Sequence, residues 1–180
     1  MEGTCGAVAN TMMFRKYIAQ DKLKTDTKEN IFVSQIDYAW KVGIFNNGKT
    51  EGLYSDEIKK MANNYLKSAN SDLSANVDEK LMWSTLKNYL NNKIEPVSII
   101  LDGEELDGKQ IRHAVLATDC YTLKVKFKMK NFLGITTTFS ENYNIVRICD
   151  GWKNTDYKNF EETTYRYVYV DCISELIKLN

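Results

Sequence analysis

The run Ile111-Arg-His-Ala-Val-Leu-Ala-Thr-Asp-Cys-Tyr121 is followed, after Thr122, by Leu123-Lys-Val-Lys-Phe-Lys-Met-Lys130. The second run alternates strictly. Lys124, Lys126, Lys128 and Lys130 fall on one side, and Val125, Phe127 and Met129 on the other. A period of two is the period of a strand, so residues 111–130 predict sheet. The first run is apolar without alternation, as a buried strand is. The lysine row has two readings: a patch for an anionic ligand, or the solvated face of a sheet with edge protection. The second is the more common use of such a row.

Strand signals continue on both sides. Pro96 precedes Val97-Ser-Ile-Ile-Leu101, a buried-strand run, and Asp102 to Lys109 is an acidic, Gly-containing loop. Ile135 to Phe139, Tyr143 to Cys149 and Tyr165 to Ile173 are further candidates. The segment from Asn131 to Asn142 predicts a hairpin.

The first half of the chain has the helical period. Val8, Ala9, Met12, Met13, Tyr17 and Ile18 mark a helix over Gly6 to Ala19, with Thr4 as N-cap and Cys5 in the first turn. Asp21 to Asn30 is a loop by composition. Phe32 to Leu53 mixes aromatics with the turn signal Asn46-Asn47-Gly48. Ser55 is a candidate N-cap for a helix striped by Ile58, Met61, Ala62, Tyr65 and Leu66, which Asn70-Ser71-Asp72 ends. A third helix is predicted from Asn76 to Asn92, striped by Val77, Leu81, Leu86, Tyr89 and Leu90. Helices first and strands second predict an α+β fold in a single domain, 1–180. A helical part, about 1–93, would pack on a mainly antiparallel sheet, about 96–180.

The 180 residues suffice for one domain with a substantial core. Formal net charge is zero, which argues against a nucleic-acid binder working by phosphate neutralisation. No run approaches the ~20 apolar residues of a membrane span. No signal-peptide pattern follows Met1, so the expected compartment is the cytoplasm if Met1 is the natural start, and secretion or the cell surface if a longer precursor was trimmed. The four cysteines, Cys5, Cys120, Cys149 and Cys172, form no C-x-x-C pair, and there is one histidine. That spacing argues against zinc. Cys120, Cys149 and Cys172 are expected to be buried free thiols.

Three residue types then stand out. Cys5 opens a helix, where unpaired N–H groups and the helix dipole favour a thiolate. His113 lies on a strand, and Asp150, before Gly151-Trp152, ends a later one. These are the parts of a thiol nucleophile, its general base and the group that orients the base. Asp119 is the alternative orienter. Six residues beyond His113, it would share its sheet face but lie about 20 Å along the strand. Singly, each has a plainer role: a small apolar residue, a satisfied core histidine, a turn aspartate.

Cys5-Gly6 opening a helix, His113-Ala-Val-Leu-Ala117, the preceding Pro96-Val97 strand, Asp150-Gly-Trp152 and the strand-like tail Tyr165 to Val170 resemble papain-like cysteine peptidases. The resemblance is nearest to compact bacterial members of the staphopain-like and double-glycine-leader-peptidase-like kinds. It implies a papain-like fold whose central helix begins at the nucleophile. It also implies peptide or amide hydrolysis through an acyl-enzyme on Cys5, with His113 as base and acid, Asp150 as orienter, Trp152 shielding that pair and Gly6 supporting. A peptide or protein substrate is implied, with no cofactor, no metal and no nucleic acid; the oligomeric state is left open. Such enzymes usually carry a Gln before the nucleophile as an oxyanion donor. None of Met1 to Thr4 is Gln, so an upstream segment, another side chain such as Gln35, or impaired catalysis is expected. The alternatives are a catalytically impaired binding or structural domain on the same fold, and an amide hydrolase or acyltransferase with another acceptor.

Overall fold

The computed structural model describes residues 4–45, 53–80, 83–106, 109–149 and 165–180. Its helices are α1 (Cys5–Ala19), α2 (Lys28–Lys41), α3 (Ser55–Ser68) and α4 (Trp83–Lys87), which continues as a π-helical turn over Asn88–Lys93. Its strands are β1 (Ala75–Asp78), β2 (Val97–Leu106), β3 (Lys109–Lys130), β4 (Thr136–Cys149), β5 (Tyr165–Tyr169) and β6 (Ile173–Leu179). They form one antiparallel sheet in the order β1-β6-β2-β3-β4-β5. The fold is therefore α+β with a six-stranded antiparallel sheet.

Both faces of the sheet carry helices. On one, Met13, Phe14, Ile58 and Tyr65 of α1 and α3 share a core with Ile100, Ala114, Leu116 and Ile177. On the other, Leu86, Tyr89 and Leu90 of α4 and the π turn meet Ile99, Val115, Val146 and Leu176. Burial on both sides explains why 97–101 and 113–117 are apolar without interruption.

Several elements differ from the sequence reading, each for a physical reason. The stretch read as loop and mixed aromatics contains α2. Thr27 caps it by accepting the Asn30 N–H at 3.2 Å. Its buried stripe is Ile31, Gln35 and Ala39, and a glutamine at the centre hides the period. The predicted helix from Asn76 begins instead as the edge strand β1, inside the half of the chain read as helical. Asn63 holds Ala75 through both its backbone groups, at 2.7 and 3.1 Å, and β6 supplies the ladder, so tertiary pairing overrides the helical spacing. The helical signal there is confined to Trp83–Lys93 among the described residues. The α3 stripe is as expected, although its N-cap is Tyr54, whose N–H donates to Glu57 at 3.0 Å.

The strand signal over Tyr165 to Ile173 divides. β5 ends at Tyr169, a 3-10 turn occupies Val170–Cys172, and β6 returns between β1 and β2. Cys172 in that turn is exposed rather than buried, while Cys120 and Cys149 are buried and free as expected. The two strand signals after Ile135 are one strand, β4. Asn46-Asn47-Gly48, Leu81, Asp150, Gly151 and Trp152 lie outside the described residues.

Candidate active site

The start of α1 is fixed by close packing and a buried polar network. A Cβ on Gly6 would lie 2.6 Å from Cγ1 of Ile58 in α3, so only glycine permits this approach. One turn on, the Asn10 amide donates to Gln35 Oε1 at 2.9 Å and to the Ile58 carbonyl at 3.1 Å. The Gln35 amide donates to Thr11 Oγ1 at 3.2 Å and to the Ile31 carbonyl at 3.1 Å. These bonds tie α1 to α2 and α3 in the interior, where an unmade bond is costly. Gln35 is fully buried and its donors are spent on this network. It ties helices together and is not placed as the oxyanion donor.

Cys5 is the first residue of α1, after Thr4 at the N-cap. Its thiol packs against the α1–α3 side of the core. Burial pushes the thiol up from its ordinary range, while the backbone N–H groups of Ala114, Gly6 and Cys5 itself draw it down. Burial wins, so the depressed thiol expected of a helix start is not what results: desolvating a thiolate outweighs three N–H dipoles. Two of those donors belong to the helix N-terminus. The third comes from β3, one residue past His113.

A strand's N–H groups lie in the plane of the sheet. β2 occupies one flank of β3 at Ala114, and the described pairing with β4 ends at Leu116 opposite Cys149. Cys5 packs from α1 onto the face of the sheet that carries Ala114 and Leu116 of β3. His113 is buried, 1% exposed, and pairs with Leu101 of β2. By the alternation of the strand it leaves β3 on the face of Leu101 and Val115, opposite Ala114. The fold thus packs the helix that Cys5 opens on the strand that carries the only histidine, with the His113 side chain leaving β3 on the face opposite Ala114.

The other sequence candidates fall differently. A bulge between Ala117 and Asp119 shifts the alternation, so Cys120, not Asp119, continues the face of Val115 and Ala117. Asp119 accepts the Cys120 N–H at 2.8 Å and bonds the Tyr121 hydroxyl, far from His113. It is no orienter. The sequence reading missed Arg112, which pairs with Asp102 at 3.2 Å and with Glu175, and lies 5.7 Å from the Tyr54 ring centroid. This charged cluster straps β2, β3 and β6 beside His113; nothing in the local sequence pattern marks it.

Among the described residues no three His, Cys, Asp or Glu side chains converge as a metal ion would need, and no helix is long and apolar enough to cross a membrane. No protein-family model matches the sequence, and no curated protein or solved structure matches it either.

Proposed function

We propose that the chain is a papain-like domain performing thiol-dependent acyl transfer, hydrolysing a peptide or related amide through an acyl-enzyme on Cys5. The observation that supports this is that Cys5 opens α1 and packs on the β3 segment that carries the only histidine in the chain. In this reading the imidazole of His113 turns toward Cys5 and accepts the thiol proton.

The raised thiol gives the order of events. Cys5 rests as a neutral thiol. His113 removes its proton as the sulfur attacks the carbonyl carbon. The C–N bond then breaks, and the proton held by the imidazolium goes to the departing amine. Water next attacks the thioester carbonyl as His113 takes its proton; the C–S bond breaks, the proton returns to the Cys5 sulfur, and the acid product departs. The backbone N–H of Cys5 is the oxyanion donor at hand. Asp150 is the proposed orienter of His113 and Trp152 its shield; Asp150→Asn should retain part of the activity that Asp150→Ala loses. The alternative, a binding or structural domain on the same architecture, is favoured by one observation: burial dominates the environment of Cys5.

The test is acylation by a panel of peptide p-nitrophenyl esters, read as a nitrophenol burst with the acyl group located by mass spectrometry. The expected result is acyl on Cys5, lost in Cys5→Ala and slowed at least ~10²-fold in His113→Ala. Acylation on no cysteine, or on Cys5 at the same rate without His113, replaces this reading with the binding domain.

A further inference from the structure

We infer that the distal half of the β3–β4 hairpin is a docking arm for an anionic lipid surface. From Thr122–Asn144 to Lys130–Thr136 the two strands pair only with each other; β2 has ended, and β5 pairs with β4 no further than Ile145. Nine residues at ~3.4 Å each make an arm about 30 Å long with no third strand among the described residues. Two-stranded ribbons alone are marginal in water.

Its surface is divided. Register puts Leu123, Val125, Phe127 and Met129 on one face opposite Tyr143, Glu141, Phe139 and Thr137, with the Glu141 carboxylate at the base of the arm taking the Tyr143 hydroxyl, and the four lysines on the other with asparagine, serine and threonines. The apolar face is open: Leu123 is 50%, Phe127 40% and Met129 64% exposed. It continues into a groove of about 490 Å³ that Tyr143, Tyr167 and Tyr169 help to line. At the tip Phe132 is 96%, Leu133 68% and Ile135 58% exposed.

The tip backbone is what suits it to lipid rather than to water. Asn131 Oδ1 accepts the N–H groups of Leu133, at 3.0 Å, and Ile135, at 2.9 Å. The Asn131 carbonyl accepts Gly134 N–H and the Ile135 carbonyl accepts Asn131 N–H, both at 3.0 Å. Gly134, at φ +81°, makes the turn possible. The turn thus satisfies the N–H groups of Asn131, Leu133, Gly134 and Ile135 internally and presents three large apolar side chains outward, which suits it to the boundary of headgroups and acyl chains.

Charge selects the kind of surface. Residues 123–143 hold four lysines against a single acid, Glu141, in a chain of zero net charge. Lys130 and Lys128 follow the tip at intervals of about 7 Å, and their long stems can reach headgroups while the tip is submerged. A second copy of the chain would instead bring two arms of like sign together. An anionic bilayer matches the apolar tip and the lysines at once.

The test is flotation of the full chain with phosphatidylcholine vesicles and with vesicles containing phosphatidylserine. Binding is expected to the anionic vesicles, weakening as ionic strength rises. Phe132→Ser with Leu133→Ser should weaken it more than ~10-fold, and Lys128→Ala with Lys130→Ala by about 25-fold. All four side chains belong to the arm, and far-UV circular dichroism should confirm an unchanged fold. Sedimentation of the same proteins distinguishes the alternative. No flotation with anionic vesicles, flotation indifferent to the tip variant, or a dimer abolished by the tip variant without vesicle binding each overturns the inference.

Discussion

Between His113 and Ala117, β3 is buried on both faces; between Lys126 and Lys130, the same strand is exposed on both. The first segment lies between α1–α3 and the α4 layer. Among the described residues the second has one neighbouring strand, β4, and no layer on either face. Alternation is cleanest where burial is absent, and it vanishes where burial is greatest. A period of two therefore says which side of a strand is apolar, not whether anything covers that side. The two ends also divide the chemistry. The buried end holds His113 under helices on both faces, while the open end offers a surface.

The largest effect should come from truncating one leucine at each end. Leu116 is 1% exposed within the α1–α3 core, and Leu123 is 50% exposed on the arm. Leu116→Ala should cost about 2–5 kcal/mol, and Leu123→Ala less than ~1 kcal/mol. Since ~1 kcal/mol moves the Tm of a chain this size by about 2–4 °C, thermal unfolding resolves the two. Equal losses would mean that the arm is packed in solution as tightly as the core.

A smaller effect is expected where α1 meets α3. Gly6→Ala places a Cβ 2.6 Å from Cγ1 of Ile58. Overpacking of this kind costs roughly 1–3 kcal/mol, and it should outweigh the helix-propensity gain of at most ~1 kcal/mol. Urea unfolding would measure the balance. A more stable Gly6→Ala protein would show that α3 yields, and that the glycine beside Cys5 has a reason other than packing.

How much was legible follows the same division. The α+β class, the α1 and α3 stripes, the buried strands around Val97 and His113 and the hairpin all show in the sequence, because each rests on local period. β6 did not show, since Ile173-Ser-Glu-Leu-Ile-Lys-Leu179 has no clean alternation and is specified by β1 and β2 on its two sides. α2 did not, because Gln35 sits in its buried stripe as partner to Asn10 and Thr11. At the candidate site the pairing of Cys5 with the His113 strand was legible through short motifs. The Ala114 donor, the bulge that removes Asp119 and the Arg112 cluster depend on register, which no single stretch encodes. The direction of the Cys5 thiol was misread for a similar reason: a helix start is visible in sequence, but the depth of its burial is not.

Alkali should separate the buried end from the arm. Burial raises the thiol of Cys5, and raises that of Cys120 to about 11. A thiol raised in the folded state contributes stability that is full below the unfolded pKa of ~8.5. That stability is lost as pH rises toward the folded value, because the unfolded chain releases its proton first. Urea midpoints should therefore fall above about pH 8.5, and fall less in Cys120→Ala than in the parent. Tyr17 and Tyr65 are raised by burial too, so the difference between the two proteins is the readout. Parallel pH profiles would mean that Cys120 is solvated.

The smallest effect should be at the lysine row. Lys124, Lys126, Lys128 and Lys130 are exposed on a face whose cross-strand partners are Asn142, Ser140, Thr138 and Thr136. None of these partners carries a charge, so replacing one lysine breaks no cross-strand ion pair, and the backbone ladder is untouched. Lys126→Ala, at the middle of the row, should leave the free energy of urea unfolding within about 0.5 kcal/mol of the parent in dilute buffer. A slight gain is the expected sign, since lysines at alternate positions on one face repel each other and the repulsion is weak in water at ~7 Å spacing. If Lys126→Ala instead destabilises the chain by more than ~1 kcal/mol, the lysine row is held against an acidic surface of the protein, and the arm is not the open element that its contrast with the His113 segment makes it.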